Sequence, residues 1–208
     1  IVVPFAAGGT TDVVARAVAR DLAELWGQSV VVENRGGAGG NIGADVVAKS
    51  APDGYTLLMT SGSIFTVNPH MYAKMPFDAK QDFIAVTNVA SGPQLVVVNP
   101  SVPANSLKEF IAWAKARPGK LNFGSAGVGS QVHMAAESFL DAAGLDVAHV
   151  PYKGEGPAYT DLVAGSIQLM VGNIAAAAPF VADGRLRALA VTSRTRSPLL
   201  PEVPTVAE

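Results

Sequence analysis

Four glycine-rich turns hold the residues of this chain that could bind or transform a ligand. They cover residues 5–12, 34–41, 124–130 and 151–157. Glycine allows backbone N–H groups to come close to a ligand, and the N-terminus of a following helix favours an anion. The turns at 5–12 and 124–130 both lead into a predicted helix, so each could hold a carboxylate or a phosphate. For the first turn taken alone, a tight connection with no ligand is an equally good interpretation.

Two of the turns resemble nucleotide-binding motifs but lack residues that those motifs need. In the turn 34–41, a dinucleotide fingerprint requires a third glycine where this chain has Ile42. A P-loop requires lysine after its last glycine, whereas Ser130 and Gln131 follow Gly129. Nucleoside triphosphate hydrolysis is therefore disfavoured. A single carboxylate needs no such cation if several N–H and hydroxyl groups converge on it.

The four turns contain two cations, Arg35 and Lys153. We favour a surface ion pair for Arg35 and a solvated side chain for Lys153. Tyr152 could offer a hydroxyl group and an apolar wall. The sequence therefore predicts that an anionic ligand is held mainly by neutral donors.

Ser130 and His133 form the pair that could support nucleophilic catalysis. They lie three residues apart at a predicted helix start and could touch. No Gly-x-Ser-x-Gly elbow surrounds Ser130, and no acid is placed to orient His133. The chain has no cysteine, and its histidines, His70, His133 and His149, lack metal-ligand spacing. We predict no catalytic residue, no metal and no cofactor; the alternative is an α/β hydrolase or transferase that uses Ser130 and His133.

The composition indicates a folded protein without a polyanionic partner. Of 208 residues, 49% are hydrophobic and 15% are charged, which excludes a disordered chain. The net charge is −2 with no basic stripe, so binding to nucleic acid or to an anionic membrane is not expected. Three uncharged stretches, at 54–73, 83–107 and 162–182, are broken by turn or amide residues, and we interpret them as buried segments rather than bilayer spans.

Short apolar strands alternate with amphipathic helices along the chain. This alternation predicts a parallel-rich sheet with helices on both faces, and a ligand site at the carboxyl ends of the strands. The predicted strands cover residues 1–4, 30–33, 55–59, 84–90, 95–98, 121–124, 147–150, 167–171 and 186–191. The predicted helices cover residues 12–26, 42–49, 65–73, 106–116, 131–143, 157–164 and 175–182, and an irregular tail begins at residue 193.

The turns, in this order, resemble a known family over nearly the whole chain. The chain is similar to the tripartite tricarboxylate transporter solute receptors, also called the Bug family of periplasmic binding proteins. The joint pattern is far more specific than any one glycine-rich loop. The matching segments are 4–9 (PFAAGG), 30–40 (VVVENRGGAGG), 51–57 (APDGYTL), 68–70 (NPH), 123–127 (FGSAG), 150–154 (VPYKG), 184–191 (GRLRALAV) and 201–205 (PEVPT).

The resemblance implies an α/β, two-lobed binding protein of the type II periplasmic, Venus-flytrap kind, without enzymatic activity. Such receptors capture a small organic carboxylate, here expected to be a dicarboxylate, in the periplasm and deliver it to a tripartite tricarboxylate-type membrane transporter. We expect a monomer. The chain starts at Ile1 with no signal peptide and stops at Glu208, where family members continue, so we expect a trimmed chain truncated at its C-terminus.

The resemblance also implies which residues form the site. The first lobe is expected to cover residues 1–96, with the tail 193–208 returning to it, and the second lobe residues 97–192. The family usually has Asp after the strand 167–171, where this chain has Gly172 and Asn173, which argues against a ligand held through an ammonium group. The implied ligand-binding residues are Phe5, Gly8, Gly9, Thr10, Asp12, Thr60, Ser61 and Ser63 on the first lobe, and Ser125, Gly127, Gly129, Ser130, His133 and Tyr152 on the second.

Overall fold

Two β-sheets organise the chain in a computed structural model that describes residues 1–208. We call the part around the smaller sheet the first lobe and the part around the larger sheet the second lobe. The first lobe has β1 (Val2–Val3) paired in parallel with β2 (Glu33–Asn34). The second lobe has β3 (Gln94–Val98), β4 (Asn122–Ser125), β5 (Ala148–Pro151), β6 (Leu169–Asn173) and β7 (Arg187–Val191).

Eight α-helices accompany the sheets, and no helix has the length and apolar character needed to cross a lipid bilayer. The first lobe carries α1 (Thr10–Trp26), a 3-10 turn (Ala38–Gly40), α2 (Asn41–Ala48), α3 (Ser63–Thr66) and α4 (Asn68–Met71). The second lobe carries α5 (Leu107–Lys115), α6 (Gln131–Ala143), α7 (Glu155–Ala164) and α8 (Ile174–Ala182).

The larger sheet is mixed, with the strand order β5-β4-β6-β3-β7. β4 runs parallel to β5 and β6, whereas β3 is antiparallel to both β6 and β7. The helices α6, α7 and α8 each return the chain to the start of the next parallel strand. β3 enters the sheet directly from the first lobe, and α5 then connects it to β4, to which it is antiparallel. The predicted parallel-rich arrangement is therefore confirmed for β4, β5, β6 and β7, whereas β3 runs antiparallel to them.

Both faces of the larger sheet are covered, since successive residues of a strand point to opposite faces. Leu95 and Val97 of β3 pack in a cluster with α7 and α8. Val96 and Val98 pack in a second cluster with α5 and α6. Because both faces of β3 are buried, its residues 95–98 form a continuous apolar run rather than an alternating pattern.

The first lobe has a smaller core, which includes residues from the second lobe. Val3, Phe5 and Ile64 form its centre together with Phe77. Ala126 and Val132, which flank the start of α6, pack into the same cluster. The two lobes are therefore joined by apolar contact at the very place where the turn 124–130 meets the first lobe.

Two predicted strands of the first lobe are not formed. In the segment 55–59, only Leu58 pairs, by one isolated bridge to Val2, and Tyr55 is 92% exposed. The segment 84–90 has no regular structure, with Ile84 90% exposed. These segments have strand-like composition, but residues 55–59 pair only with Val2 of β1, through Leu57 O and Met59 N, and residues 84–90 have no paired neighbour.

The predicted helix 65–73 and the predicted position of the C-terminal tail also differ from the structure. The predicted helix 65–73 is divided into α3 and α4, because Pro69 lacks the N–H group needed to continue a helix. The tail 193–208, expected on the first lobe, lies against the second lobe instead. Thr205 forms an isolated β-bridge with Val191 of β7, and Leu200 and Val203 pack in the cluster of α7 and α8. The expected lobe boundary between residues 96 and 97 stays a prediction.

Hydrogen exchange should report this unequal organisation. We expect the amides of β3 to exchange slowest, because they are buried and bonded on both sides, and those of residues 84–90 to exchange fastest. Exchange followed by mass spectrometry tests this. Protection in residues 84–90 equal to that of β3 would show that this segment pairs with another strand in solution.

Candidate functional site

A cleft lies between the lobes where the N-termini of α1, α6 and α8 meet. Its volume, measured with the open solvent at its mouth, is about 340 Å³. No lysine or arginine is among the residues that line it. The lining residues are Phe5, Ala6, Gly9, Thr11, Asp12, Ser61, Ala126, Ser130, Gln131, Val132, Glu155 and Asn173.

Backbone N–H groups are the free donors of this cleft. The first-turn N–H groups of a helix have no partner within the helix and project beyond its N-terminus. Those of Thr11 and Asp12 in α1, and of Gln131 and Val132 in α6, form no hydrogen bond within the protein. Donors from one helix of each lobe therefore converge on one space, with the positive ends of two helix dipoles.

Hydroxyl groups supplement these donors. Ser130 precedes α6, and its Oγ accepts the N–H of His133 at 3.3 Å, which leaves its own proton free to donate. Ser61 Oγ lies 2.9 Å from Ser63 Oγ, and Thr60 Oγ1 donates to the carbonyl of Ser61 at 3.3 Å. Ser130 and Ser61 line the cleft, while Thr60 and Ser63 lie behind it.

Asp12 shapes the turn 5–12. Its carboxylate accepts hydrogen bonds from Gly8 N at 3.1 Å, Arg16 Nε at 3.0 Å and Asn34 Nδ2 at 2.9 Å. Burial on its own would raise the pKa of Asp12, but these bonds and the Arg16 charge outweigh it and lower that pKa. Asp12 is therefore ionised and held by its neighbours, and its main role is to fix the N–H groups around it.

Ser125 has a similar role in the turn 124–130. It is fully buried, and its Oγ accepts Gly127 N at 3.1 Å, contacts Gly127 O at 3.3 Å and lies 2.6 Å from Nε2 of His149. These contacts use the whole bonding capacity of a hydroxyl group. Ser125 therefore holds the turn in place and does not line the cleft.

Two stacked histidines contact the turn 124–130. Their ring centroids, in His133 and His149, are 4.1 Å apart, and Phe123 stacks on both. His133 Nδ1 accepts the N–H of Gly129 at 3.3 Å, which requires a neutral ring. Burial lowers the pKa of both histidines, and for His149 burial and the nearby His133 lower the pKa to about 4.

The structure does not bring Ser130 and His133 together as a nucleophile and base. Ser130 Oγ bonds the backbone of His133, while the ring bonds Gly129 N and lies 3.4 Å from Glu137. Tyr152 is also directed away from a ligand, because its hydroxyl donates to Asp161 Oδ2 at 2.6 Å. Burial and Asp161 raise the pKa of Tyr152, so this hydroxyl keeps its proton.

Direct contacts hold the lobes together along a seam beside the cleft. Ala6 N donates to Lys153 O at 2.8 Å, and Tyr72 Oη donates to Val128 O at 2.9 Å. Gly127 and Gly129 belong to this seam: a Cβ at Gly129 would lie 2.5 Å from Asn68 Oδ1. The two glycines permit close approach of the lobes, and neither lines the cleft.

Four polar residues of the cleft were not among the expected site residues: Thr11, Gln131, Glu155 and Asn173. Glu155 is the most informative, since it is 5% exposed. One signal could have indicated it, namely an acidic residue between two glycines at a helix start. Of the cations, Arg35 forms the expected ion pair, with Glu33. No group of three or more His, Cys, Asp or Glu side chains could hold a metal ion.

Comparison with known proteins assigns the chain to a family. The family model described as the tripartite tricarboxylate transporter family receptor, TctC, matches residues 14–208. The chain belongs to this family. Protein BugT of Bordetella pertussis is 44% identical over 209 residues, an alignment that covers 100% of this chain and 64% of BugT. The chain thus spans less than two thirds of the length of this TctC-family relative.

Two solved structures of TctC type from Rhodopseudomonas palustris match the fold. One, described as Rpa4515 with adipate, has a TM-score of 0.96 and 41% identity over 99% of this chain and 69% of its own. The other, MatC with bound malate, has a TM-score of 0.90 and 33% identity over 99% of this chain and 70% of its own. The family is one of periplasmic binding proteins. The expected Bug family and Venus-flytrap fold are therefore confirmed, and the matched family members are solute-binding receptors.

The histidine stack makes the stability of this TctC-family chain depend on pH. The pKa of His149 is about 4 in the folded protein, against 6.5 for a free histidine, so the unfolded chain binds a proton first. The stability that depends on a neutral His149 is therefore fully present above about pH 6.5, and it is lost as the pH falls towards 4. His149→Gln should reduce the drop in the free energy of unfolding between pH 7 and pH 5, measured by urea denaturation. The control, His70→Gln, alters an exposed histidine and should follow the parent protein; equal pH dependence in all three would contradict the assignment.

Proposed function

We propose that this chain is the ligand-binding part of a periplasmic receptor that captures a small organic carboxylate, expected to be a dicarboxylate, for a tripartite tricarboxylate-type membrane transporter. The observation that carries the proposal is the set of unpaired N–H groups of Thr11, Asp12, Gln131 and Val132 at one cleft. A carboxylate is the common small anion that such a set of donors recognises without a side-chain cation.

The adipate and malate in the two matched structures support the ligand class, since both are dicarboxylates. Neutral donors fixed in a closed cleft can hold a carboxylate because they need no reorganisation when it binds. Within this proposal, Ser130 and Ser61 add hydroxyl contacts, and Phe5 supplies an apolar wall. The residues Gly8, Thr60, Ser63, Ser125, Gly127, His133 and Tyr152 act by shaping the loops and the seam.

A ligand bound by donors from both lobes can bind fully only when the lobes are closed. Each lobe supplies half of the donor set, so the ligand stabilises the closed form by the bonds that it makes across the cleft. The seam at Ala6 and Lys153 defines how closely the lobes approach. We propose that the receptor acts as a monomer, because residues of one chain line the cleft from both lobes.

Proline at position 131 removes one proposed ligand donor and little else. Gln131 is the first residue of α6, where proline is well accepted, and Ser130 before it already has the extended ψ of 155° that proline favours. Gln131→Pro should weaken binding of adipate or malate by about tenfold or more, since a hydrogen bond to a charged group contributes about 1.5–3 kcal/mol.

The matched control is Gln131→Ala, which removes the same side chain but keeps the N–H group. It should bind as the parent chain does, and both variants should keep its melting temperature. Calorimetric titration measures the affinities. Equal affinity of the proline and alanine variants would contradict a role for this N–H group, and the absence of binding of every small carboxylate by the parent chain would overturn the proposed function.

A methyl group in the seam should oppose closure. A Cβ at Gly156 would lie 2.1 Å from the carbonyl oxygen of Ala7 on the other lobe, whereas at Gly62 it would meet no atom within 4 Å. Gly156→Ala should therefore lower affinity and abolish ligand-induced compaction in small-angle scattering, while Gly62→Ala should compact as the parent chain does. Unchanged compaction of Gly156→Ala would show that the lobes do not meet at this seam when ligand is bound.

A further inference from the structure

Glu155 is a buried carboxylate of the cleft with no cation beside it. Its Oε1 accepts the backbone and side-chain N–H groups of Asn173 at 2.9 and 3.1 Å, and its Oε2 accepts Thr10 N at 3.1 Å. None of the ion pairs of the structure includes it. The two oxygens of an ionised carboxylate can accept about four hydrogen bonds, and these contacts account for three of them.

The end of β6 leaves no room for an acidic side chain at Gly172. A Cβ at Gly172 would lie 2.0 Å from the hydroxyl oxygen of Tyr159, so no side chain can project from this position. The same Cβ would lie 3.5 Å from Glu155 Oε1. Glu155 therefore places a negative charge beside a turn that has no acidic residue of its own.

Glu155 also occupies donors that a ligand could otherwise use. Thr10 N begins α1, and Asn173 N immediately precedes α8. With both engaged, the free first-turn donors of α1 and α6 remain, at Thr11, Asp12, Gln131 and Val132. These four N–H groups can hold an ionised carboxylate, and the Glu155 carboxyl group lies in the wall of the same cleft.

We propose that Glu155 determines the ligand class by requiring a hydrogen-bond donor at the end of the ligand remote from its bound carboxylate. A hydroxyl, an ammonium or a protonated carboxyl group meets this requirement. A second ionised carboxylate does not, because like charges repel strongly in a buried site. The inference rests on the proposed receptor function and narrows it: a dicarboxylate binds as its monoanion, and an amino or hydroxy acid of the same length binds more tightly.

Three titratable groups lie around Glu155 on the elements packed against it. Asp12 on α1 is ionised and adds negative charge to the same cleft. Tyr159 on α7 keeps its proton, because burial and Glu155 raise its pKa. Lys153 is exposed and forms no ion pair. Burial raises the pKa of Glu155, and its hydrogen bonds oppose this effect only in part. A raised pKa favours a proton shared between Glu155 and a carboxyl group of the ligand.

The test compares two pairs of probes that differ in the charge of one end: adipate with 6-aminohexanoate, and succinate with 4-aminobutyrate. Calorimetric titration at pH 7.5 should show that the parent chain binds the ammonium member at least tenfold more tightly. Glu155→Gln should lower that preference at least tenfold. Asp183→Asn, which removes an acidic group from an exposed site, should leave this preference unchanged.

A preference unchanged in Glu155→Gln would overturn the inference and leave the receptor function intact. No binding of any probe by the parent chain would overturn both.

Proton uptake gives a second readout that needs no variant. Titrations in buffers of different ionisation enthalpy count the protons taken up with the ligand. Binding of adipate to the parent chain at pH 7.5 should take up about one proton, and binding of 6-aminohexanoate should take up none. Adipate binding without proton uptake would overturn the inference even if Glu155→Gln failed to fold.

Discussion

The meeting of two helix N-termini across the gap between the lobes is the constraint on which the rest of this structure depends. Thr11 and Asp12 of α1 and Gln131 and Val132 of α6 present N–H groups that have no partner in the protein. Such groups can recognise an anion only if their helices are held in a fixed relation. That relation follows from three cores, the third of which joins the lobes through Ala126 and Val132.

Most polar side chains near the cleft serve this backbone site indirectly. The Asp12 carboxylate binds Gly8 and Asn34 and so fixes the turn before α1. The Ser125 hydroxyl, between Gly127 and His149, fixes the turn before α6. Glu155 differs from both, because it joins Thr10 of the first lobe to Asn173 of the second within the cleft itself. Under the proposed receptor function, Glu155 and the ionised Asp12 set the charge around a ligand, while its anchoring depends on the backbone.

The sequence predicted the elements that local patterns determine. The bounds of α6 agree with the structure to the residue. Strand-like segments at 55–59 and 84–90 failed because pairing depends on neighbours that local composition does not reveal. For the site, glycine-rich turns identified the right loops. They could not show that Ser125 and Tyr152 turn away from the cleft, or that Glu155 turns into it, because side-chain direction depends on tertiary contacts.

Amide chemical shifts measured during a ligand titration test the central claim most directly, because they report each N–H group separately. With ¹⁵N-labelled protein and adipate or malate as the probe, the amide protons of Thr11, Asp12, Gln131 and Val132 should move downfield together, with one dissociation constant. These shifts indicate new hydrogen bonds to a carboxylate. Shifts confined to the surroundings of Arg35 or Lys153, with these four amides unmoved, would contradict the account and would place the anion on a surface cation instead.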